Sequence, residues 1–287
     1  MTRDADAKPF SDWIGRTTEA TDIVTERLVA EFRAIFEPHL APLAADAAPL
    51  GIHWCLSPAI AAMDELGPDG HPAKERDVPP VPQPSRMWAG GSLDMLKPLR
   101  VGDRVTRVST IADVTKKEGK SGELWFVAVD RDYVVDGATV IRERHDIVYR
   151  EPARPAVARP AEPGRELLGA VPVCGPSWTV ETTPAFLFRY SAITFNGHRI
   201  HYDLPYATRV EGYRGLVVHG PILATLLLNL AAAATAVPPT SFHYRGRSPA
   251  ICGDALSICA GAGSLAGTYW TEDPDGRISM TASTTGT

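Results

Sequence analysis

The sequence predicts an α+β chain made of two tandem units, each an antiparallel sheet wrapped around a central helix. Three observations lead there. Arg150 to Glu166 (REPARPAVARPAEPGRE) is rich in Pro, Ala and Arg and has no apolar periodicity, so it reads as a linker between two nearly equal parts. Pro98-Leu-Arg-Val-Gly102-Asp103-Arg-Val105 in the first part is matched by Pro249-Ala-Ile-Cys-Gly253-Asp254-Ala-Leu256 in the second. Each copy is preceded by helix-like sequence and followed by strand-like sequence. The units are therefore bounded at 1–150 and 167–287, with the linker over 151–166.

The elements follow in chain order. Ala20 to Phe36 carries Ile23, Val24, Leu28, Val29, Phe32 and Ile35 near the helical period. Gly67 to Ser85 (GPDGHPAKERDVPPVPQPS) is a long Pro-rich loop, either a mobile surface loop or one wall of a substrate tunnel. Val105–Val114, Leu124–Val135 and Val140–Tyr149 are strands, divided by turns at Lys117–Gly122 and Asp136-Gly137. In the second unit Thr183 caps a helix with Pro184 at its first position, running to about Ile193 on Phe186, Leu187, Tyr190 and Ile193. Pro221 to Ala234 forms a further helix. Strands follow at Ala255–Ala260, Thr268–Thr271 and Arg277–Thr284, with a turn at Asp273–Gly276.

Composition removes several function classes. At 287 residues, 44% hydrophobic and 22% charged, the chain can bury a real core. A net charge of -5 argues against a nucleic-acid partner. Cys55, Cys174, Cys252 and Cys259 form no metal or disulfide spacing and read as reduced thiols of a cytoplasmic protein. The opening MTRDADAKPFSDW has no apolar core and is no signal peptide. Leu216–Val237 begins with His219, Gly220 and Pro221 and holds Asn229, which fits a buried helix better than a membrane span. No membrane partner is expected; self-association into a homo-oligomer stays open.

The chemistry concentrates in Phe188-Arg189-Tyr190-Ser191-Ala-Ile-Thr-Phe-Asn196-Gly197-His198-Arg199-Ile-His201-Tyr202-Asp203 and Gly215-Leu-Val-Val-His219-Gly220-Pro221. Asn196-Gly197 after a helix is a C-cap and turn signal, which puts His198, His201 and Asp203 on an irregular segment held by a rigid scaffold. Histidine can take and return a proton at working pH, whereas Asn can orient water but cannot act as a base. Gly220 opens a helix, so free N–H groups there can hold an oxygen on which negative charge develops. His198-x-x-His201 with Asp203 lacks an HExxH glutamate and a nearby cysteine, so no metal is expected. His219 is either a satisfied buried histidine or ligand-facing. Tyr202 and Tyr206 read first as packing residues. Arg189 and Arg199 pair by default with the protein's own carboxylates, yet two arginines in a histidine-rich stretch also suit a phosphate or carboxylate ligand.

These strings resemble the signature of the MaoC-like (R)-specific enoyl-CoA hydratases, roughly Asp-x-Asn-Pro-x-His-x-Asp followed by Gly-x-x-x-His-Gly. His201-Tyr-Asp203 and Gly215-Leu-Val-Val-His219-Gly220 fall on its two parts. The string Asn-Gly-His-Arg-Ile-His-Tyr-Asp is similar to a double hot-dog branch holding the hydroxyacyl-thioester dehydratases type 2 and the mesaconyl-C4-CoA (3-methylfumaryl-CoA) hydratases. Arg86-Met-Trp-Ala-Gly-Gly and the Gly102-Asp103 string look like that branch's N-terminal half.

The resemblance implies a double hot-dog hydro-lyase that hydrates an enoyl-CoA reversibly, with His201 as general acid/base. Asn196 occupies the position of the family's catalytic Asp. Thioester binding then falls to Gly220 and His219, and substrate contact to Arg199, Arg189, His198, Tyr202 and Gly215. Coenzyme A enters as part of the substrate, and no other cofactor is expected. The Asn-for-Asp exchange and the nearby arginines favour a short, branched, dicarboxylic acyl-CoA such as mesaconyl-C4-CoA. A fatty-acid 3-hydroxyacyl-thioester dehydratase or an acyl-CoA thioesterase is the alternative. The first unit carries no comparable cluster and is expected to shape the acyl tunnel without taking part in catalysis.

Overall fold

The computed structural model describes residues 9–119, 122–151 and 174–285. The first unit contains β1 (Thr17–Ile23), α1 (Glu26–Phe36), the short α2 (Lys74–Asp77), β2 (Ser85–Met95), β3 (Arg104–Gly119), β4 (Gly122–Val135) and β5 (Ala138–Arg150). The second contains β6 (Cys174–Glu181), α3 (Pro184–Ile193), α4 (Gly220–Thr235), β7 (Ser241–Gly246), β8 (Ala255–Gly261), β9 (Thr268–Glu272) and β10 (Ile278–Thr285). All ten strands join one antiparallel sheet in the order β1-β3-β4-β5-β2-β7-β10-β9-β8-β6. Read outward from the β2–β7 seam, the two halves have the same order, as a duplicated unit would. Segment 152–173, which holds nearly all of the expected linker, lies outside the described residues.

The repeated Gly-Asp strings do the same job in both halves. Gly102 and Gly253 take positive φ values of 94° and 99°, which side chains disfavour. Gly102 N–H donates to Val24 O at 2.8 Å, just after β1, and Gly253 N–H donates to Thr182 O at 2.7 Å, just after β6. Each string thus ties the start of one strand to the end of the edge strand beside it.

The segment expected as one helix from Ala20 divides in two. The β-branched Thr17, Thr18, Thr21 and Ile23 pair with β3, and Thr25 begins the helix by accepting Leu28 N–H at 3.1 Å. Thr183 caps α3 in the same way, through Phe186 N–H at 3.2 Å, with Pro184 in the first turn. Strands β2, β6 and β7 have no counterpart in the sequence reading. Gly, Pro and Ser residues mask the alternation in β2 and β6, while β7 alternates cleanly but is only six residues long.

The two units differ in what fills the sheet. In the second, α4 is buried on every side from Ile222 to Ala232, as a helix apolar all round must be. In the first, a single turn, Ile52–Cys55, covers β2, β4 and β5, with the His53 ring on Tyr133 and Trp54 against Trp88. Asn229, fully buried, locks α4 to the first unit by accepting Ala41 N–H at 3.1 Å and donating to Leu50 O at 3.0 Å. The shorter filler leaves room beside the N-terminus of α4. No helix among the described residues is long and apolar enough to cross a membrane.

Candidate active site

A cavity of about 420 Å³ opens at the seam, lined by the first turn of α4, the 196–201 segment, β2, β5 and residues 246–250. That size suits a small acyl group. Its polar lining comprises His71, Arg86, His145, Arg150, Asn196, His198, His201, His219, Arg247, Ser248 and Ser279, and no carboxylate among the described residues.

The local fold explains how the two motif parts meet. At the end of α3, Thr194 Oγ1 donates to Tyr190 O at 2.7 Å and Asn196 N–H closes on Ser191 O at 2.9 Å. Phe195, not Asn196 or Gly197, takes the left-handed conformation, at φ 48°. The Asn196 side-chain oxygen accepts His198 N–H at 3.0 Å, which turns the chain and leaves the amide NH2 as its free donor. Val217 N–H then donates to Ile200 O at 2.9 Å, clamping the second motif part against the first.

That clamp fixes His201. Its Nδ1 lies 2.7 Å from Val217 O, and a carbonyl can only accept, so Nδ1 carries the hydrogen and Nε2 presents a lone pair. Burial pulls the His201 pKa down to about 3, which keeps the ring neutral at physiological pH. His219 stacks on it and shares a hydrogen with Ser191 Oγ at 2.8 Å. His219 and His198 are also held well below the usual histidine range, by burial first and by neighbouring imidazoles second. Gly220 N–H, at the positive end of α4, has no partner among the described residues and lines the cavity. A Cβ at Gly220 would collide with the Trp88 ring.

Of the residues expected to bind substrate, the structure brings Asn196, His198, His201, His219 and Gly220 to the cavity. Four others lie elsewhere. Arg199 pairs with Asp203 at 2.7 Å, donates to Pro68 O and lies over the Tyr206 ring. Arg189 lines a separate groove with Glu37 and His39, because α3 turns that face away from the seam. Tyr202 is 54% exposed, with its hydroxyl on Gly197 O. Gly215 is buried where a Cβ would come 2.8 Å from the Ile251 side chain, so its smallness serves packing.

The basic groups that do reach the cavity come from both units, and Arg86 and His145 come from the first. Arg86 has no hydrogen-bond or ion-pair partner for its guanidinium among the described residues. His145 is held from behind: Trp88 Nε1–H and Arg131 Nη1 both approach its Nδ1, at 3.1 and 2.9 Å. Both are donors and both lie closer than Glu143 Oε1, which stands 3.5 Å from the same atom, so Nδ1 accepts and Nε2 carries the hydrogen. Arg131 is anchored by Glu143, which is 3% exposed and also takes Tyr133 and Trp54 as donors. Arg86 lay inside a string already noted in the sequence; His145 sits in an ordinary strand and gave no signal. Asp69, His71 and His198 each offer a ligand atom within 4.8 Å of the others, so this corner is also the place a divalent cation would fit.

The model of the hydroxyacyl-thioester dehydratase type 2 family matches residues 51–252. The chain is 40% identical over 238 residues to the mesaconyl-C4-CoA hydratase of Chloroflexus aurantiacus, across 83% of each chain. Among solved structures, a MaoC-like dehydratase superposes with a TM-score of 0.67 at 14% identity, over 96% of this chain and 99% of that one. A Mycobacterium tuberculosis protein described as a double hotdog fold does so at 0.55 and 15% identity, over 94% of each. The architecture is therefore a double hot-dog.

Proposed function

The chain belongs to the hydroxyacyl-thioester dehydratase type 2 family, and from that membership we propose that it adds water reversibly across the C2–C3 double bond of a short dicarboxylic enoyl-CoA such as mesaconyl-C4-CoA. It is a hydro-lyase. The observation that carries the substrate class is the unpaired Arg86 in a cavity without a carboxylate, in a chain whose net charge is -5. Arg86 is half-buried and feels the Asp69 carboxylate only at a distance, so its guanidinium hydrogens are available to a ligand's anion. Arg86 and the fixed Nε2–H of His145 are the donors assigned to the distal carboxylate, in place of Arg189 and Arg199.

In this reading the thioester carbonyl oxygen meets Gly220 N–H, where the α4 terminus favours the negative charge that develops as water attacks C3. His201 Nε2 takes a proton from that water and returns it to C2. Asn196 donates its amide hydrogens to the water oxygen. Coenzyme A is carried by the substrate, and this sequence of steps calls on no other cofactor. The cytoplasm is the proposed setting.

The test compares loss of enoyl absorbance on mesaconyl-C4-CoA and crotonyl-CoA, with wild type and Arg86→Gln. The wild type is expected to prefer the dicarboxylic substrate. Arg86→Gln should lower kcat/KM for it by roughly 10- to 100-fold, the value of one hydrogen-bonded charge, and leave crotonyl-CoA nearly unchanged. Equal loss on both substrates would remove the carboxylate assignment. Release of free thiol without loss of the double bond would make the chain a thioesterase.

A further inference from the structure

Asn196 cannot ionise and its side-chain oxygen is taken by His198 N–H, so a site built on His201 alone is short of one hydrogen-bond acceptor for the water, and the first unit brings another. The Gly67–Ser85 loop crosses the seam and seats its first turn on the Asn196–Arg199 stretch. Arg199 N–H donates to Asp69 O at 2.9 Å and its guanidinium to Pro68 O at 2.9 Å. Gly70 and Gly197 meet backbone to backbone: a Cβ on Gly197 would come 2.8 Å from Gly70 O, and one on Gly70 would overlap Gly197 O. Gly70 also has a φ of +86°. This seat accounts for Gly197 and Arg199, two motif residues that do not line the cavity.

What the seat delivers is a carboxylate–imidazole pair. Asp69 Oδ2 lies 3.0 Å from His71 Nδ1, and the two side chains are 16% and 17% exposed. A carboxylate only accepts, so His71 Nδ1 carries the hydrogen and Nε2 presents a lone pair, as His201 does. The His71 ring lies 4.2 Å from that of His198, which lies 5.3 Å from that of His201. His71 lines the same cavity.

We propose that His71, oriented by Asp69, is a second catalytic residue of this site, a hydrogen-bond acceptor that positions the attacking water as a carboxylate at position 196 would. The proposal rests on the hydratase reading. The attacking water is held with its hydrogens toward Nε2 of His71 and Nε2 of His201. As its oxygen bonds to C3, one O–H bond breaks and that proton moves to His201 Nε2. The C2=C3 electron pair moves onto the thioester oxygen beside Gly220. The imidazolium then gives the proton to C2 and the carbonyl re-forms, which leaves OH on C3, H on C2 and both rings neutral. The second O–H bond stays intact and donates a hydrogen bond to His71 Nε2 throughout, and Asp69 stabilises the partial positive charge that ring gains. Both units then contribute to catalysis.

The experiment measures hydration by the full chain with His71→Ala and Asp69→Asn, alone and combined with Asn196→Asp. His71→Ala is expected to lower kcat about 100-fold with KM within about 3-fold, and Asp69→Asn to lower kcat about 10-fold. Against Asn196→Asp, the His71→Ala cost should shrink to about 5-fold or less, because the new carboxylate takes over. Binding of a saturated dicarboxylic acyl-CoA should persist in both single variants. A kcat for His71→Ala near that of wild type, or an equal cost with Asn196 and with Asp at that position, overturns the proposal in favour of a packing role. Activity lost to EDTA and restored by Zn²⁺ overturns it in favour of a metal at Asp69, His71 and His198. A wild type that hydrates no enoyl-CoA overturns the functional reading as well, so the two failures are distinct.

Discussion

The imidazoles of His201 and His219 lie stacked, with ring centroids 3.5 Å apart and planes 16° from parallel. Two charged rings could not share that geometry, and burial already holds both neutral. The stack and the bond to Val217 O leave His201 a single orientation, in which Nε2 presents its lone pair.

Replacing His219 separates the stack from its polar bond. His219→Phe keeps a ring face against His201 and loses only the hydrogen shared with Ser191. It should leave kcat within about 3-fold, since aromatic pairing is worth about 0.5–1.5 kcal/mol and is retained. His219→Ala opens space beside His201 and should cost about 10-fold. Steady-state rates on one enoyl-CoA check both, and a greater loss in the Phe variant would show that the Ser191 bond matters more than the stack.

Acid should unfold this protein earlier than its carboxylates alone would cause. Burial lowers His53, His71 and His145 to about 4 and His201 to about 3, against about 6.5 in the unfolded chain. Below pH 6.5 the unfolded chain binds protons that the folded one refuses. The stabilisation is therefore complete above pH 6.5 and is lost as pH falls toward 4. Each histidine contributes up to about 1.4 kcal/mol per pH unit inside that window. Urea midpoints at pH 7.5, 6 and 5 should fall with accelerating slope. His53, whose Nε2 has no partner among the described residues and which does not line the candidate cavity, offers the control: His53→Phe should remove about one proton from the slope.

Much of this site was legible because its chemistry is local in sequence. Asn196–His201 and Gly215–Gly220 are each short, contiguous strings joined by the Val217–Ile200 bond, so the sequence motifs and the resemblance they carry already grouped Asn196, His198, His201, His219 and Gly220. The arginines misled for a physical reason. Arg189 lies on a helix face, where three residues decide whether a side chain meets the seam or the solvent, and Arg199 had Asp203 one turn away. His71, Arg86 and His145 reach the cavity only through the pairing of β2 with β7 and the docking of a long loop, which periodicity does not encode. The fold was legible wherever alternation was clean, as in β3, β4 and β5. It was not in β1, where a strand runs straight into a helix and one apolar stripe spans both.

Restoring a carboxylate at position 196 should move the pH profile as well as the rate. In the wild type His201 stays neutral, so kcat/KM is expected to be flat from pH 8 to about 5.5. A nearby negative charge favours the imidazolium, so Asn196→Asp should shift the acid limb upward by about one unit or more. The pH–rate profile of the two proteins, assayed briefly to avoid acid unfolding, decides this. Superimposable profiles would mean that residue 196 does not reach His201 electrostatically.

At Gly220 the proposed oxyanion donor and the proposed carboxylate receptor share one contact. A Cβ at this position would strike the Trp88 ring, and Trp88 Nε1–H is one of the two donors that fix the His145 tautomer. Gly220→Ala must therefore push Trp88, loosen His145 and disturb the thioester oxygen site together. Overpacking of this kind costs about 1–3 kcal/mol of stability. Activity on a dicarboxylic substrate should fall further than on crotonyl-CoA, because only the former is proposed to use His145. Combining Gly220→Ala with Trp88→Phe, which shortens the ring system, should recover part of the crotonyl-CoA rate but not the dicarboxylic preference, since the indole donor is gone. Full recovery of that preference in the double variant would show that His145 holds its orientation without Trp88, through Arg131 alone.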